Sequence, residues 1–169
     1  MIIYMKLIQL TTNDGVNIYN MLQRMGKSEN AFNNEVHGMT YEEYQQWLIK
    51  QDHWSKGEEL PEGYVRQWTY WLFDDEGNPV GYGKLRDSVT EQSRKFGGNI
   101  GFAISPLYRG KGYGTILFRM LLDMAKEKGI KEVISTVEKY NYASKTIHEK
   151  NGGILIEEND IRWIFSFSK

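Results

Sequence analysis

The clearest chemical signal in this sequence is a glycine-rich segment that carries two basic residues and precedes a helical pattern. Its members are Arg109, Gly110, Lys111, Gly112, Tyr113, Gly114 and Thr115. The first N–H groups of a helix have no partner inside the helix, and the helix dipole makes them attractive to anions. Glycine allows the backbone to adopt positive φ and to approach a phosphate closely. The segment therefore predicts a diphosphate-binding site at a helix N-terminus.

Other phosphate-binding loops fit this segment poorly. The spacing Gly110-x-Gly112-x-Gly114 differs from the G-x-G-x-x-G pattern of dinucleotide-binding folds. The segment also lacks the Gly-Lys-Ser/Thr ending of nucleoside triphosphatase loops. The pattern therefore favours a diphosphate ligand of a different kind.

A strand is predicted immediately before the glycine-rich segment, from Asn99 to Ile104. Successive side chains of a strand point to opposite faces of the sheet. One face would carry large residues and the other small ones: Ile100, Phe102 and Ile104 on the first, and Gly101, Ala103 and Ser105 on the second. The small face leaves room for a ligand to lie against the strand. A pantetheine arm, whose amides can bond to a backbone like an added strand, would suit that space.

Two sequence blocks resemble those of the GNAT superfamily of N-acetyltransferases. Arg109-x-x-Gly112-x-Gly114 matches the acyl-CoA signature of that superfamily. Asn141-Tyr-Ala-Ser144 and Glu149-Lys-Asn-Gly-Gly153 match its second block, at a similar separation. Together they cover the C-terminal half of the chain closely, and the remainder is similar in the order of its elements. Within the superfamily the chain resembles a group of predicted bacterial acetyltransferases, through Gly97–Pro106, Leu85-Arg86 and Arg162-Trp-Ile164.

The resemblance implies a V-shaped split between the Asn99–Ile104 strand and a later strand at Lys131–Val137. Acetyl-CoA would lie in this split, with its pyrophosphate on the amides of the glycine-rich segment. Acetyl-CoA is the implied co-substrate, and no metal is expected. The residues implied to contact it are Phe102, Ala103, Ile104, Arg109, Gly110, Lys111, Gly112, Tyr113, Gly114, Thr115, Asn141 and Ser144.

The same resemblance implies direct transfer of the acetyl group to a primary amine of a small molecule or peptide. In the family a tyrosine commonly lies seven residues beyond the asparagine and protonates the departing thiolate. This sequence has His148 at that place, and an imidazole titrates near neutrality. His148 is therefore the candidate general acid, the alternative being a half-buried helix residue that packs on the sheet. Glu91 and Glu138 are candidate bases, unless a chain of water carries the proton away.

The order of predicted elements is β-α-α-β-β-β-α-β-α-β-β over a single domain, residues 1–169. With the resemblance it predicts an α/β (α+β) fold: a mixed, mostly antiparallel sheet of six to seven strands with helices on both faces. Predicted strands cover Ile2–Leu10, Tyr64–Phe73 and Pro79–Arg86, besides the C-terminal pair Ile154–Ile156 and Ile161–Phe167. Predicted helices start at Asn13 or Asp14, at the capping box Thr40-x-x-Glu43, at Gly112 and at Ala143. The segment from Gly26 to Gly38 reads as irregular.

Composition excludes several classes of function. The formal net charge of −1 provides no general attraction for nucleic acid, and the apolar runs are too short to cross a bilayer. The start of the sequence lacks the features of a signal peptide, cysteine is absent, and the three histidines lie far apart. We therefore expect a cytoplasmic, metal-free protein without nucleic-acid or membrane partners, and a homodimer is possible. The alternative to an enzyme is a non-catalytic acyl-CoA-binding regulatory domain that keeps the cofactor loop.

Overall fold

The computed structural model describes residues 4–168, which form nine strands and four α-helices. In chain order these elements are β1 Lys6–Gln9, α1 Val16–Arg24, β2 Ser28–Glu29, β3 Phe32–Asn33, α2 Tyr41–Ser55, β4 Gln67–Phe73, β5 Pro79–Arg86, β6 Ile100–Ile104, α3 Tyr113–Glu127, β7 Glu132–Glu138, α4 Tyr142–Lys150, β8 Ile154–Glu158 and β9 Arg162–Ser168. A 3₁₀ turn at Pro106–Tyr108 follows β6. The predicted α/β class and the predicted order of the larger elements are confirmed.

The strands divide between two main sheets and one small hairpin. The first sheet has the order β1-β4-β5-β6, the second has the order β7-β9-β8, and every ladder is antiparallel. The seven strands of these two sheets agree with the predicted six to seven, but they do not form one continuous sheet, because no ladder joins β6 to β7 in the described part of the chain. A single bridge between Gly98 and Ser135 is all the strand pairing that connects the two sheets among the described residues. Their separation creates the split described below.

Helices cover both faces of the first sheet because its strands present large side chains on each side. Trp71 and Tyr82 are buried against α1 and α2. Tyr70 and Leu72 point the other way and are buried against α3. This alternation follows from the two-residue period of a strand.

The N-terminal region differs from the expectation at two points. The strand expected over Ile2–Leu10 covers Lys6–Gln9, and residues 1–3 lie outside the described part. Helix α1 begins after Gly15 without a side-chain cap, so neither Asn13 nor Asp14 caps it. The Asp14 carboxylate instead accepts a hydrogen bond from the Trp71 indole at 2.8 Å, which ties the loop to the sheet. The capping box between Thr40 and Glu43 is confirmed at the start of α2.

The segment predicted to be irregular, Gly26 to Gly38, contains the short hairpin β2–β3. Its two turn residues, Asn30 and Ala31, have φ of 50° and 65°, as a two-residue type I′ turn requires. Phe32 packs edge-on against the Tyr82 ring at a centroid distance of 4.8 Å. Strands of two residues show no periodicity, which is why the sequence pattern missed the hairpin. Through Phe32 the hairpin is attached to the first sheet beside β6.

The helices in the described part of the chain are all too short or too polar to cross a lipid bilayer.

Candidate active site

Asn99 joins the two main sheets immediately before β6. Its backbone N–H donates to Ile134 O at 2.7 Å, and its side-chain oxygen accepts from Ile134 N at 2.8 Å. Its side-chain amide donates to Arg86 O at 2.9 Å. In a regular antiparallel ladder the backbone N–H of Asn99 would make this bond instead. Asn99 is 2% exposed, so each of these bonds is shielded from water. Beyond this residue β6 and β7 run apart.

The edge of β6 that faces the split carries backbone groups that β5 does not use. Asn99 O accepts from Arg86 N and Ser105 N donates to Val80 O, so odd-numbered residues of this stretch bond to β5. In an antiparallel pair the alternate residues direct their N–H and C=O groups away from the partner strand. The N–H groups of Phe102 and Ile104 therefore face the split. These N–H groups can form hydrogen bonds with the amides of an extended ligand, as an added strand would.

The glycine-rich segment forms an uncapped helix N-terminus at the wide end of the split. Gly112 is the N-cap residue with φ of 82°, a left-handed conformation that favours glycine, and no side chain caps the helix. The first N–H groups of α3, those of Tyr113, Gly114 and Thr115, have no helical acceptor. This geometry fits an anionic ligand, because the free N–H groups and the positive end of the helix dipole point to one place.

Gly114 also permits close packing between α3 and α4. A Cβ atom on this residue would lie 2.9 Å from Ile147 Cδ1 and 3.7 Å from the Phe102 ring. Because Gly114 has no side chain, α3 can pack closely against α4 and β6 at this point.

A cavity of about 380 Å³ runs from this helix N-terminus into the split. It brings together most of the residues that the sequence assigned to cofactor binding. Those that line it are Phe102, Ala103, Ile104, Arg109, Gly110, Gly112, Tyr113, Gly114, Thr115, Asn141 and Ser144. Lys111 is the exception, since it is exposed and does not line the cavity; its ammonium lies 5.8 Å from the centre of the Tyr108 ring.

Arg109 lines the cavity, but its guanidinium already forms an ion pair with another residue of the chain. Its Nη1 and Nη2 donate to the two carboxylate oxygens of Glu29, at 2.8 and 2.9 Å, and its Nε donates to Ile104 O at 3.1 Å. Glu29 belongs to β2, so the β2–β3 hairpin is fastened across the start of the glycine-rich segment. Because Arg109 and Glu29 are 80 residues apart, no local sequence pattern indicates this pair.

Asn141 and Ser144 lie together at the start of α4. Asn141 is the N-cap residue, and its side-chain oxygen accepts a hydrogen bond from Ser144 N at 3.2 Å. This bond orients the Asn141 amide group on the wall of the cavity. Asn141 therefore has a capping function as well as the position expected for a cofactor ligand.

His148, the candidate general acid, is an interior residue that does not line the cavity. It is 1% exposed and lies among aromatic rings from β6, α3 and β9, namely Phe102, Phe118, Phe165 and Phe167. Its Nδ1 lies 2.7 Å from Ser144 O, which only accepts, so Nδ1 carries the proton.

The other imidazole nitrogen of His148 is engaged as well. Its Nε2 lies 2.7 Å from Ser135 Oγ and accepts from that hydroxyl. Burial lowers the pKa of His148 from 6.5 to about 4, although the bond to Ser144 O opposes the shift. The position does not support proton donation to a ligand, and the geometry matches the alternative of a packed helix residue, more deeply buried than expected. His148 instead orients Ser135, a residue that lines the cavity.

The face of β6 with small residues is partly filled by the protein itself. A Cβ atom on Gly101 would lie 3.5 Å from the Phe32 ring, and Ala103 packs on the core beneath α1 and α2. The hairpin side chain therefore occupies space that the sequence assigned to a pantetheine arm. The free N–H groups on the edge of β6 are better placed to receive that arm than the face is.

The outer wall of the cavity carries charged residues from the second sheet. Glu138 and Arg162 are cross-strand neighbours on β7 and β9 and both line the cavity. The Glu138 carboxylate accepts a hydrogen bond from the Tyr140 hydroxyl. Of the two candidate bases, only Glu138 reaches the cavity, because Glu91 is exposed on the 87–99 loop and does not line it. The sequence did not mark Arg162 as a site residue.

No group of three or more histidine, cysteine, aspartate or glutamate residues within residues 4–168 is arranged to hold a metal ion.

Comparison with known proteins agrees with this geometry. Residues 31–153 match the model of the acetyltransferase (GNAT) family. A comparison with curated proteins finds no match to this chain. Among solved structures, the ribosomal-protein-S5-alanine acetyltransferase of Vibrio fischeri superposes with a TM-score of 0.73 at 15% identity, covering 99% of this chain and 97% of that one.

Two further solved structures have the same fold. The N-acetyltransferase PseH of Campylobacter jejuni, solved with acetyl coenzyme A, has a TM-score of 0.66 at 16% identity and covers 98% of this chain and 99% of its own. The dodecameric spermidine N-acetyltransferase of Vibrio cholerae has a TM-score of 0.65 at 16% identity, covering 97% of this chain and 93% of its own. Together with the family match, which spans most of the sequence, they identify this chain as an acyltransferase that belongs to the GNAT acetyltransferase family.

Proposed function

We propose that this enzyme transfers an acetyl group from acetyl-CoA to a primary amine of a small molecule or peptide. The observation that carries the proposal is the cavity that runs from the uncapped N-terminus of α3 into the split between β6 and β7. A site for a diphosphate and a slot for an extended amide chain lie end to end in it. Coenzyme A has both parts.

Donor binding uses backbone groups more than side chains. The N–H groups of Tyr113, Gly114 and Thr115 bind the pyrophosphate at the positive end of the helix. The amides of the pantetheine arm bond to the row of groups on β6 at Phe102 and Ile104. Asn141 contributes its amide from the opposite wall, on α4.

The acceptor amine must lose a proton before it can attack. A lysine-type amine has a pKa of about 10.4 and is protonated at neutral pH. Glu138 lines the cavity and is the carboxylate placed to accept this proton. A general base must first lie within reach of the proton that it removes, and only then does its pKa matter. A carboxylate on the cavity wall can meet the first condition.

The transfer balances without any further reactant. The amine nitrogen forms a bond to the acetyl carbon, the carbon–sulfur bond breaks, and the products are the amide and free CoA. A backbone N–H group on the split edge of β6 that the pantetheine arm leaves free stabilises the negative charge on the acetyl oxygen. Since a thiol has a pKa of about 8.5, the departing thiolate is a stable leaving group that solvent can protonate. No proton from the buried His148 is needed.

Steady-state release of thiol from acetyl-CoA, measured with a panel of amines, tests the proposal. We expect amine-dependent release that Glu138→Gln lowers by about 10²-fold, the lower range for loss of a general base. Asp52→Asn is a matched control, because Asp52 is on α2 and does not line the cavity. Binding of CoA by calorimetry without release on any amine would instead support the non-catalytic regulatory domain.

A further inference from the structure

Arg162 presents an unpaired guanidinium at the outer end of the cavity. It is the first residue of β9 and lines the cavity beside Glu138. Its Nε atom is buried and has no hydrogen-bond partner, and within residues 4–168 the side chain forms no ion pair. A guanidinium on a cavity wall without a counter-ion favours an anionic ligand, because arginine binds carboxylate and phosphate groups through charge-assisted hydrogen bonds.

Carboxylates on the other two strands of this sheet are engaged with other groups. Glu138 lies directly across the ladder from Arg162 and accepts from the Tyr140 hydroxyl. Glu157 on β8 accepts from Arg94 at 3.1 Å. The ring of Phe96 lies 5.4 Å from the Arg162 guanidinium and covers it from the loop side. The guanidinium is thus held in place by packing and left without a counter-ion of its own.

A second guanidinium, that of Arg86, lies next to the cavity, beside Gly97 and Gly98. Arg86 donates to Gly98 O at 3.2 Å, and its Nη1 would lie 3.8 Å from a Cβ atom on Gly97, which lines the cavity. This part of the cavity therefore has two positively charged groups, Arg162 and Arg86, and one negatively charged group, Glu138. This excess of positive charge favours a ligand that carries an anionic group.

We infer that the acceptor is an amine that also carries a carboxylate, such as a free amino acid. The planar fork of Arg162 binds the carboxylate, a geometry that arginine matches with two parallel hydrogen bonds. Glu138 faces the amino group, so the cross-strand pair of opposite charges complements a zwitterion. A phosphate dianion fits less well, because it would lie beside the Glu138 carboxylate. The inference rests on the proposed function for the identity of the reaction, but not for the existence of the anion subsite.

Ligand binding to the CoA-saturated protein tests the subsite separately from turnover. The probes are the common free amino acids, each paired with its carboxamide, which keeps the amine and removes the negative charge. The protein variants are wild type, Arg162→Gln and the control Arg24→Gln, whose exposed arginine on α1 does not line the cavity. Calorimetry measures the Kd of each pair, and thiol release is measured with the same compounds.

We expect at least one amino acid to bind the wild type about 10- to 100-fold more tightly than its carboxamide, the range for a charge-assisted hydrogen bond. Arg162→Gln abolishes this preference while Arg24→Gln keeps it, with unchanged CoA affinity in both. Carboxamides that bind as well as the acids, a preference that survives Arg162→Gln, or no binding of either set would each overturn the inference. Preferential binding without thiol release would keep the subsite and overturn the proposed transfer instead.

Discussion

The guanidinium of Arg109 and the carboxylate of Glu29 form two parallel hydrogen bonds, at 2.8 and 2.9 Å, across the entrance to the cavity between β6 and β7. Arg109 belongs to the segment that binds the pyrophosphate in the proposed function, whereas Glu29 belongs to the β2–β3 hairpin. One guanidinium therefore has two competing anionic partners. Because both side chains are 44% exposed, the pair itself contributes modestly to stability.

Glu29→Gln tests this competition. The substitution removes the negative charge that holds Arg109 and leaves a side chain of the same size. We expect the Kd for CoA to fall by about 3-fold, equivalent to the ~0.5–1 kcal/mol of an exposed ion pair. Calorimetric titration with CoA measures the change.

The opposite variant, Arg109→Ala, removes both the ion pair and the cation that would meet the diphosphate. We expect it to weaken CoA binding by about 10-fold or more, the effect of losing a charge-assisted hydrogen bond. If Glu29→Gln also weakened CoA binding, the pair would serve to position the loop, and competition would be the wrong description.

Asn141 caps α4 in the structure and binds the cofactor in the proposed function, and one pair of substitutions separates these two roles. Asn141→Asp keeps an oxygen that caps α4 through Ser144 N but removes the amide donor. We expect the melting temperature to change little and the Kd for CoA to rise about 10-fold, since an anionic side chain would then line the cavity. Asn141→Ala should cost about 1 kcal/mol of stability through loss of the cap. An aspartate variant that binds CoA as well as the wild type would reduce Asn141 to a helix cap.

The junction of the two sheets makes Gly98 indispensable. Its φ is +70°, and a Cβ atom there would lie 2.1 Å from Ile134 O, a backbone atom that cannot move without separating the sheets. We expect Gly98→Ala to lower the free energy of unfolding by at least about 3 kcal/mol, from strain and clash together. Chemical denaturation measures it.

Gly77→Ala is the matched control for this effect. Gly77 has φ of +83° in the turn between β4 and β5, and nothing lies within 4 Å of its Cβ position. The left-handed conformation alone should cost about 1–2 kcal/mol. Equal losses in the two variants would mean that the contact at Ile134 O relaxes, and that the junction is not rigid.

Local chemistry made the glycine-rich segment and the uncapped helix start that follows it predictable from the sequence. Gly112 at a helix start, with basic neighbours, has few physical explanations other than an anion site. The amphipathic stripe of α3 and the capping box at Thr40 follow from rules that act over three or four residues. These features appear in the structure because no distant residue opposes them.

Features that depend on distant contacts were not predictable. The family resemblance implied the split between the sheets, but not the residue that forms their junction: Asn99, whose side chain replaces one ladder bond so that its backbone can join Ile134. The position of His148 depends on phenylalanines from three elements that converge only in the fold. The partner of Arg109 lies in a hairpin too short to show a period. In each case the deciding neighbour lies on a separate element of the fold, so the pattern around the residue itself does not indicate it.

His148 should make the stability of the protein depend on pH. Its pKa is lowered to about 4 by burial, from 6.5 in an exposed state, so below pH 6.5 the unfolded chain binds the proton more readily than the folded one. The stabilisation is complete above pH 6.5 and is lost as the pH falls towards 4, a change of roughly 3 kcal/mol at 1.36 kcal/mol per unit. Urea denaturation between pH 7.5 and 4 should show a steeper loss for the wild type than for His148→Gln. The exposed His37→Gln variant should retain the wild-type slope, and parallel curves for all three proteins would show that His148 is not held neutral in the folded state.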